Sequence, residues 1–418
     1  MRILFLTPQL PYPPYQGTSL RNYNLIRSLA ERHEVHLLSF IQPGDDLARA
    51  SPLKQLCRTF TAVPAPRRSP LHRFLSLLFS PQPDMALRLP SQEFHTRLGH
   101  TLREQALDVV QVEGIEMAQY GLWLMVNSHK PSAIGHQPSA ISHRPLAVFD
   151  DHNAEYVLQR TAFQSDVRQP TRWMAAFYSF VQWHKLARYE RWVCRHADRV
   201  VAVSEADARA IEQLVPDLEV AVVPNGVDTE HYRPRSQLPT SKSLVFTGKM
   251  DFRPNVDAVL WFCQEILPFI IEQIPEVHFY VVGQQPHSRL SHLADQPHVT
   301  LTGRVDDVRP YIAGAGVYVV PLRMGSGTRL KVLQAMAMGQ AIVSTSLGCE
   351  GISLCPGREA VLADTPPDFA RQVVALLSDV GRRKELGRNA RLLAETHYDW
   401  RVIVPGLEKV YEEARAGR

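Results

Sequence analysis

Long apolar runs are missing from this chain. No stretch approaches the 18 or so apolar residues of a membrane span. The apolar start, residues 1–8, is too short for a secretory leader and suits a first strand. Paired cysteines are missing as well. The five cysteines, at 57, 194, 263, 349 and 355, form no CxxC and no paired-ligand spacing, which predicts free thiols in a reducing compartment. Charge of one sign is not concentrated. A net +4 over 418 residues falls short of the basic stripe that nucleic acid requires, so no nucleic-acid partner is expected, while a visit to an anionic membrane surface stays compatible. Strict phosphate fingerprints are absent too. Position 330 is Leu where GxGxxG needs glycine, and no GxxxxGK[ST] occurs. What remains is a cytoplasmic chain with 45% hydrophobic residues, enough to fill two domain cores.

The most informative stretch present is 321–339, PLRMGSGTRLKVLQAMAMG. An apolar run at 317–320 reads as a buried strand, and helical periodicity follows. Strand, glycine turn and helix start aim backbone N–H groups and a positive helix end at an anion. Gly325 and Gly327 allow close backbone approach. Such joints also occur where nothing binds, so the glycines alone do not decide the matter. Arg329 and Lys331 weigh against the bland reading, because a helix N-terminus disfavours cations unless an anion sits there.

The rest of the chain reads as two α/β halves. Residues 2–7 and 35–40 suit buried parallel strands, with a helix at 20–32 between them and Gly17 in the preceding loop. Gly17 is either a backbone contact to substrate or an ordinary turn. Residues 52–105 read as helical and punctuated by proline, with eight cations and three acids, and 71–79 could lie on a membrane or pack as an amphipathic helix. An imperfect His-x-Pro repeat at 129–145 reads as a variable loop rather than a metal site. Strands follow at 108–112, 146–149, 199–204 and 219–223. Asp150-Asp-His-Asn153 lies at the carboxyl end of one of them, where sites of open α/β sheets gather. His152 is a candidate for orienting a hydroxyl or stabilising a transition state, or else caps the next helix. Residues 172–196 form an aromatic and basic helix whose first expected use is packing on its own domain.

A polar segment after 224 marks the domain boundary. Domains are expected at 1–224 and 225–399, with a helix at 400–418 packing back on the first. Strands at 244–247, 277–282, 299–301, 317–320 and 340–344, with helices between them, complete a second doubly wound domain. Lys249 and Arg253 follow one strand end as Arg329 and Lys331 follow another, and the four are expected to converge on a diphosphate. The two domains are expected to face across a cleft that holds the ligand.

Taken together, Pro224-Asn-Gly-Val-Asp228, Phe246-Thr-Gly248, Val281-Val-Gly283, Leu301-Thr-Gly-Arg-Val305 and the stretch 330–339 resemble glycosyltransferase family 4. That resemblance runs through nearly the whole chain. It implies the GT-B fold, two Rossmann-like doubly wound domains, and retaining transfer from a nucleotide sugar to a glycan or polyprenyl-linked acceptor. GxGTRLKVL with FTGKMDFRPN resembles the branch associated with bacterial exopolysaccharide assembly. Gly17 then lies in the loop near the donor phosphate and His152 near the transferred sugar. Lys249, Arg253, Arg329 and Lys331 match positions facing the diphosphate, with Ser326, Gly327 and Thr328 in the same loop. Val305 and Asp306 sit where the base-contacting loop runs, and 348–351 line the same pocket.

One departure from the family matters. It usually has two glutamates where this chain has Ser326 and Gln334. Gln334 still accepts a hydrogen bond from a ribose hydroxyl, but without charge. A catalytically impaired nucleotide- or glycan-binding relative is therefore an alternative, as are an epimerase of the same fold and a membrane scaffold. No Asp-x-Asp triplet occurs, which is the usual diphosphate–metal anchor of the other glycosyltransferase fold, so neither metal nor cofactor is expected. Peripheral contact with the inner membrane surface is compatible with this reading.

Overall fold

The structure, a computed structural model, describes residues 1–14, 17–127, 144–168, 170–234, 241–325 and 329–417. The chain divides into two compact units, Met1–Pro224 with Val404–Arg418, and Asn225–Ile403.

The first unit is built on seven parallel strands. These are β1 (Arg2–Thr7), β2 (Glu34–Ile41), β3 (Thr59–Pro64), β4 (Val109–Glu113), β5 (Leu146–Asp151), β6 (Arg199–Ala202) and β7 (Val220–Val222), in spatial order β3-β2-β1-β4-β5-β6-β7. The central strands are apolar on both faces because helices cover both faces. Ile3, Phe5, Val110 and Val148 are wholly buried. The second unit repeats the plan with β8 (Ser243–Thr247), β9 (His278–Val282), β10 (Val299–Gly303), β11 (Val317–Val320), β12 (Ile342–Ser344) and β13 (Val361–Leu362), in order β10-β9-β8-β11-β12-β13. Both orders reverse direction beside the first strand, at β1/β4 and at β8/β11. A crevice opens beyond the carboxyl ends of the strands at such a reversal.

Three expectations need correction. Residues 59–64, read as part of a helical region, form the edge strand β3, paired with β2 from His36 to Ile41. TFTAVP is rich in β-formers, but neighbouring prolines and its half-exposed edge position hid the alternation. The first helix spans Gly17–Leu29, so Gly17 is its first residue rather than part of a loop before Leu20. The helix after β8, expected from about Val256, spans Arg253–Trp261 and so begins three residues earlier. The His-x-Pro repeat, almost all of it within 128–143, lies outside the described residues.

The last helix, Trp400–Ala416, contains Pro405, and its second half belongs to the first unit. There Glu408 accepts from Arg32 Nη2 at 2.8 Å and pairs with His33 at 2.7 Å, while Tyr411 Oη donates to Gln111 Oε1 at 3.0 Å.

Candidate functional site

In the second unit the switch point is occupied by two chain segments. One leaves β11, turns at Gly325 with φ +102°, and enters the helix Leu330–Ala337. The other leaves β8 through Gly248 and Lys249 to the helix Arg253–Trp261. Lys331 joins them. Its Nζ donates to Asn255 Oδ1 at 2.7 Å and lies 4.1 Å from the centre of the Phe246 ring. Asn255 Nδ2 in turn donates to the Lys249 carbonyl at 2.9 Å. Gly248 leaves room for this contact, since a Cβ there would stand 2.8 Å from Lys331 Nζ. Gly283 seals the same corner, since a Cβ there would fall 1.6 Å from the Gly248 carbonyl oxygen. Close packing thus demands glycine at both strand ends, and at Gly283 the positive φ of +159° adds to that demand.

Burial, and then the neighbouring Arg329 charge, pulls the Lys331 pKa down to about 7. Among the described residues no carboxylate pairs with it. Arg329 is the residue just before the helix, and its side chain is only 9% exposed, with Glu350 3.9 Å away. Burial lowers its pKa and the Glu350 charge opposes that shift. Gly325 lets the guanidinium lie against the turn, because a Cβ there would approach Nη1 to 3.3 Å. Neither cation points into bulk water.

The other expected residues differ in setting. Lys249 is exposed and pairs with Asp251 at 3.3 Å, and Arg253 is exposed at the start of its helix. Lys249 shares this corner with Lys331 through its backbone rather than its ammonium. Gln334 Nε2 donates to Tyr232 Oη at 2.9 Å. Val305 packs on the core while Asp306 is exposed. Gly348 lies in a tight turn at 347–349, where a Cβ would meet Ser344 Oγ at 2.3 Å, and this turn carries Glu350 toward Arg329. Ser326, Gly327 and Thr328 lie outside the described residues.

In the first unit a cavity of about 360 Å³ opens at the carboxyl ends of β1, β4 and β5. Thr18, Gln42, Arg88, Glu116, His152 and Glu155 are among its lining. Gly17 is not, although its neighbour Thr18 is. His152 Nε2 pairs with Glu113 Oε2 at 2.7 Å, which leaves Nδ1 on the side of Gly114. Burial alone would lower the imidazole pKa. The hydrogen bond to Glu113, with the charges of Glu113 and Asp150, overcomes it and raises the pKa. Behind this pair, Asp150 Oδ2 accepts from Arg21 Nη2 at 2.8 Å and from Gln111 Nε2 at 3.3 Å. Arg21 Nη1 also donates to the Pro224 carbonyl at 3.1 Å. The loop after His152 is fixed by Glu190, whose two oxygens accept from the N–H groups of Glu155 and Tyr156 at 2.7 and 2.8 Å.

Glu113, Asp150 and His152 offer ligand atoms within 4.8 Å of one another. A cation there would compete with the Arg21 guanidinium for Asp150 and with the imidazole for Glu113. The donor set as arranged is therefore an ion-paired network.

Glu113, Arg21 and Tyr232 were not singled out in the sequence, and Phe246 and Asn255 stood in resemblance motifs without a site role. Glu113 carries a signal in retrospect, being a charged residue at the end of the apolar run Val109–Glu113. A carboxylate buried on both sides of a parallel strand needs a partner.

Two doubly wound parallel sheets with switch-point sites define the GT-B class of fold. Solved structures agree. Sucrose-phosphate synthase from Thermosynechococcus elongatus matches with TM-score 0.73 at 17% identity over 100% of both chains. HepE from Anabaena, solved with UDP and glucose, matches with TM-score 0.62 at 16% identity over 99% of this chain and 100% of that one. In sequence, residues 241–379 match the family described as Glycosyl transferases group 1. Residues 15–231, just over half of the chain, match Glycosyltransferase Family 4. The chain belongs to Glycosyltransferase Family 4. A phosphatidyl-myo-inositol mannosyltransferase of Mycobacterium tuberculosis is 28% identical over 227 residues, 51% of this chain and 58% of that protein. An uncharacterized 44.6 kDa protein in the cps region of Klebsiella pneumoniae is 21% identical over 175 residues, 40% and 45% of the two chains. The chain spans about half the length of these curated relatives.

Proposed function

We propose that the chain moves a sugar from a nucleotide-diphosphate sugar to a glycan or lipid-linked acceptor. In this reading the second unit is the donor domain and the first the acceptor domain. The observation that carries it is Lys331, a half-buried ammonium beside Arg329 at the start of a helix, held among the described residues by Asn255 and the Phe246 ring with no carboxylate against it. Two cations close together in sequence at a helix N-terminus match a diphosphate in charge. As the sugar departs, negative charge grows on the leaving nucleoside diphosphate, and preorganised cations stabilise it there. In this reading Gln334, which donates to Tyr232, and the Val305 loop hold the nucleoside.

In the first unit His152, whose hold on a proton is strengthened by Glu113, orients the sugar or a hydroxyl near the reacting carbon. Gly17 contributes through the helix that carries Thr18 to the cavity. Lys249 and Arg253 supply positive potential near the phosphates from the surface. Retention of configuration, a role in surface-polysaccharide assembly and a cytoplasmic location at the inner membrane face complete the proposal. The cps-region relative supports the polysaccharide role. The reaction is proposed to run without a resident metal, on the ground that no Asp-x-Asp anchor is present, so turnover in EDTA should equal that in its absence.

Calorimetric titration of UDP, GDP and ADP tests the donor site, with UDP first because HepE was solved with it. Binding is expected for at least one diphosphate, and Arg329→Ala with Lys331→Ala should abolish it. Unchanged titrations in that double variant would remove the phosphate reading. Product analysis separates the chemistries. Sugar on an acceptor with released nucleoside diphosphate supports transfer, whereas an isomerised nucleotide sugar would replace it with epimerisation.

A further inference from the structure

Two neighbouring helices of the first unit present an apolar outer surface without acids. The helix Trp173–His196 exposes Trp173, Met174, Phe177 and Phe180, at 64, 86, 55 and 43%. Positions 173, 177, 180, 184 and 188 follow helical spacing and make one stripe that ends in His184 and Arg188. The helix Pro70–Phe79 exposes Leu75 at 46% and Phe79 at 79%. Lys185 Nζ ties the two together by donating to the Ser76 and Leu77 carbonyls at 3.3 and 2.6 Å. Scattered apolar residues are normal on a surface, but six large ones on adjoining helices are not.

Charge selects what covers them. The one acid on the longer helix, Glu190, is buried and engaged with backbone N–H groups. Asp84 and Asp166 nearby are buried and paired with Arg68 and Arg172. The exposed charges are cations, Arg67, Arg73, Arg168 and Arg188. A second copy of this face would set those arginines against each other. Among the described residues no helix is long and apolar enough to cross a membrane.

We propose that this face docks on a bilayer surface bearing anionic headgroups. Its aromatic side chains enter the headgroup boundary and its arginines pair with lipid phosphates. The inference does not depend on the sugar-transfer reading.

Vesicle flotation of the full chain tests it, using phosphatidylcholine alone and phosphatidylcholine mixed with phosphatidylglycerol. Binding is expected on the mixed vesicles only and should weaken with salt. Replacing Arg73, Arg168 and Arg188 by Gln should weaken it about a hundredfold. Replacing Phe79, Trp173 and Phe177 by Ser should abolish it, with the melting temperature unchanged because these side chains are exposed. Failure of the parent chain to float with mixed vesicles would overturn the proposal. So would full binding by the serine variant, or a dimer of the parent chain that this variant loses, which would make the face a contact between copies.

Discussion

Lys331 surrenders the hydration of its charge and receives an amide oxygen and an aromatic face in return. Its pKa falls from 10.5 to about 7. Between those values the unfolded chain holds a proton that the folded chain releases, so stability rises with pH across that window. Lys331→Met keeps the apolar stem against Phe246 and removes the ammonium. Its melting temperature at pH 7 should equal or exceed that of the parent, while diphosphate affinity falls at least about a hundredfold. A diphosphate would restore the amine's preference for charge. Binding at pH 8 should therefore take up a proton, measured as the slope of calorimetric enthalpy against buffer ionisation enthalpy. A zero slope would show that Lys331 does not meet the phosphates. His152 runs the other way. Its raised folded pKa means that the stability of its imidazolium is present below the unfolded value and is lost as pH climbs past the folded one. Glu113→Gln removes the charge responsible. The imidazole should then titrate lower by proton NMR, and activity should fall with its high-pH limb displaced to lower pH. An unmoved titration would leave Glu113 a structural role only.

The C-terminal helix shows how an element can belong where the chain order does not suggest. Leu407, Val410, Tyr411 and Ala414 are all buried on the first unit. Tyr411 reaches Gln111, which holds Asp150, which holds Arg21, so the last helix stands two hydrogen bonds behind the network around His152. Tyr411→Ala should cost about 3–5 kcal/mol in the first unit, from the cavity and an orphaned amide. Denaturant unfolding with a probe in each unit should show the loss in the first. Tyr411→Phe removes only the hydroxyl and should cost about 1 kcal/mol. Equal losses for the two would mean that packing contributes little at this position.

At the scale of the whole molecule, each unit is a doubly wound sheet with polar residues collected at its switch point. A ligand held by the second unit should act on that unit's unfolding first. Nucleotide at about a hundred times its dissociation constant should add about 2.7 kcal/mol to the unit it binds. Calorimetric scans with and without UDP should move the transition assigned to Asn225–Ile403, and in Lys331→Met they should not move it.

Much of this was open to a reader of the sequence. Central strands such as 2–7 and 317–320 are apolar on both faces, and a buried strand permits little else. The glycine-marked strand ends, and the cations at 329 and 331, announce themselves because their spacing is local. The edge strand 59–64 was lost among prolines, since an edge strand is only half buried and so half patterned. The rest depended on contacts between distant positions. That Lys331 meets Asn255, that His152 meets Glu113 and that Tyr411 stands behind both Gln111 and Asp150 are decided by the stacking of strands and helices. Linear order carries no record of such meetings, because a side chain's partners are set by sheet order and its charge state by how much water those partners exclude.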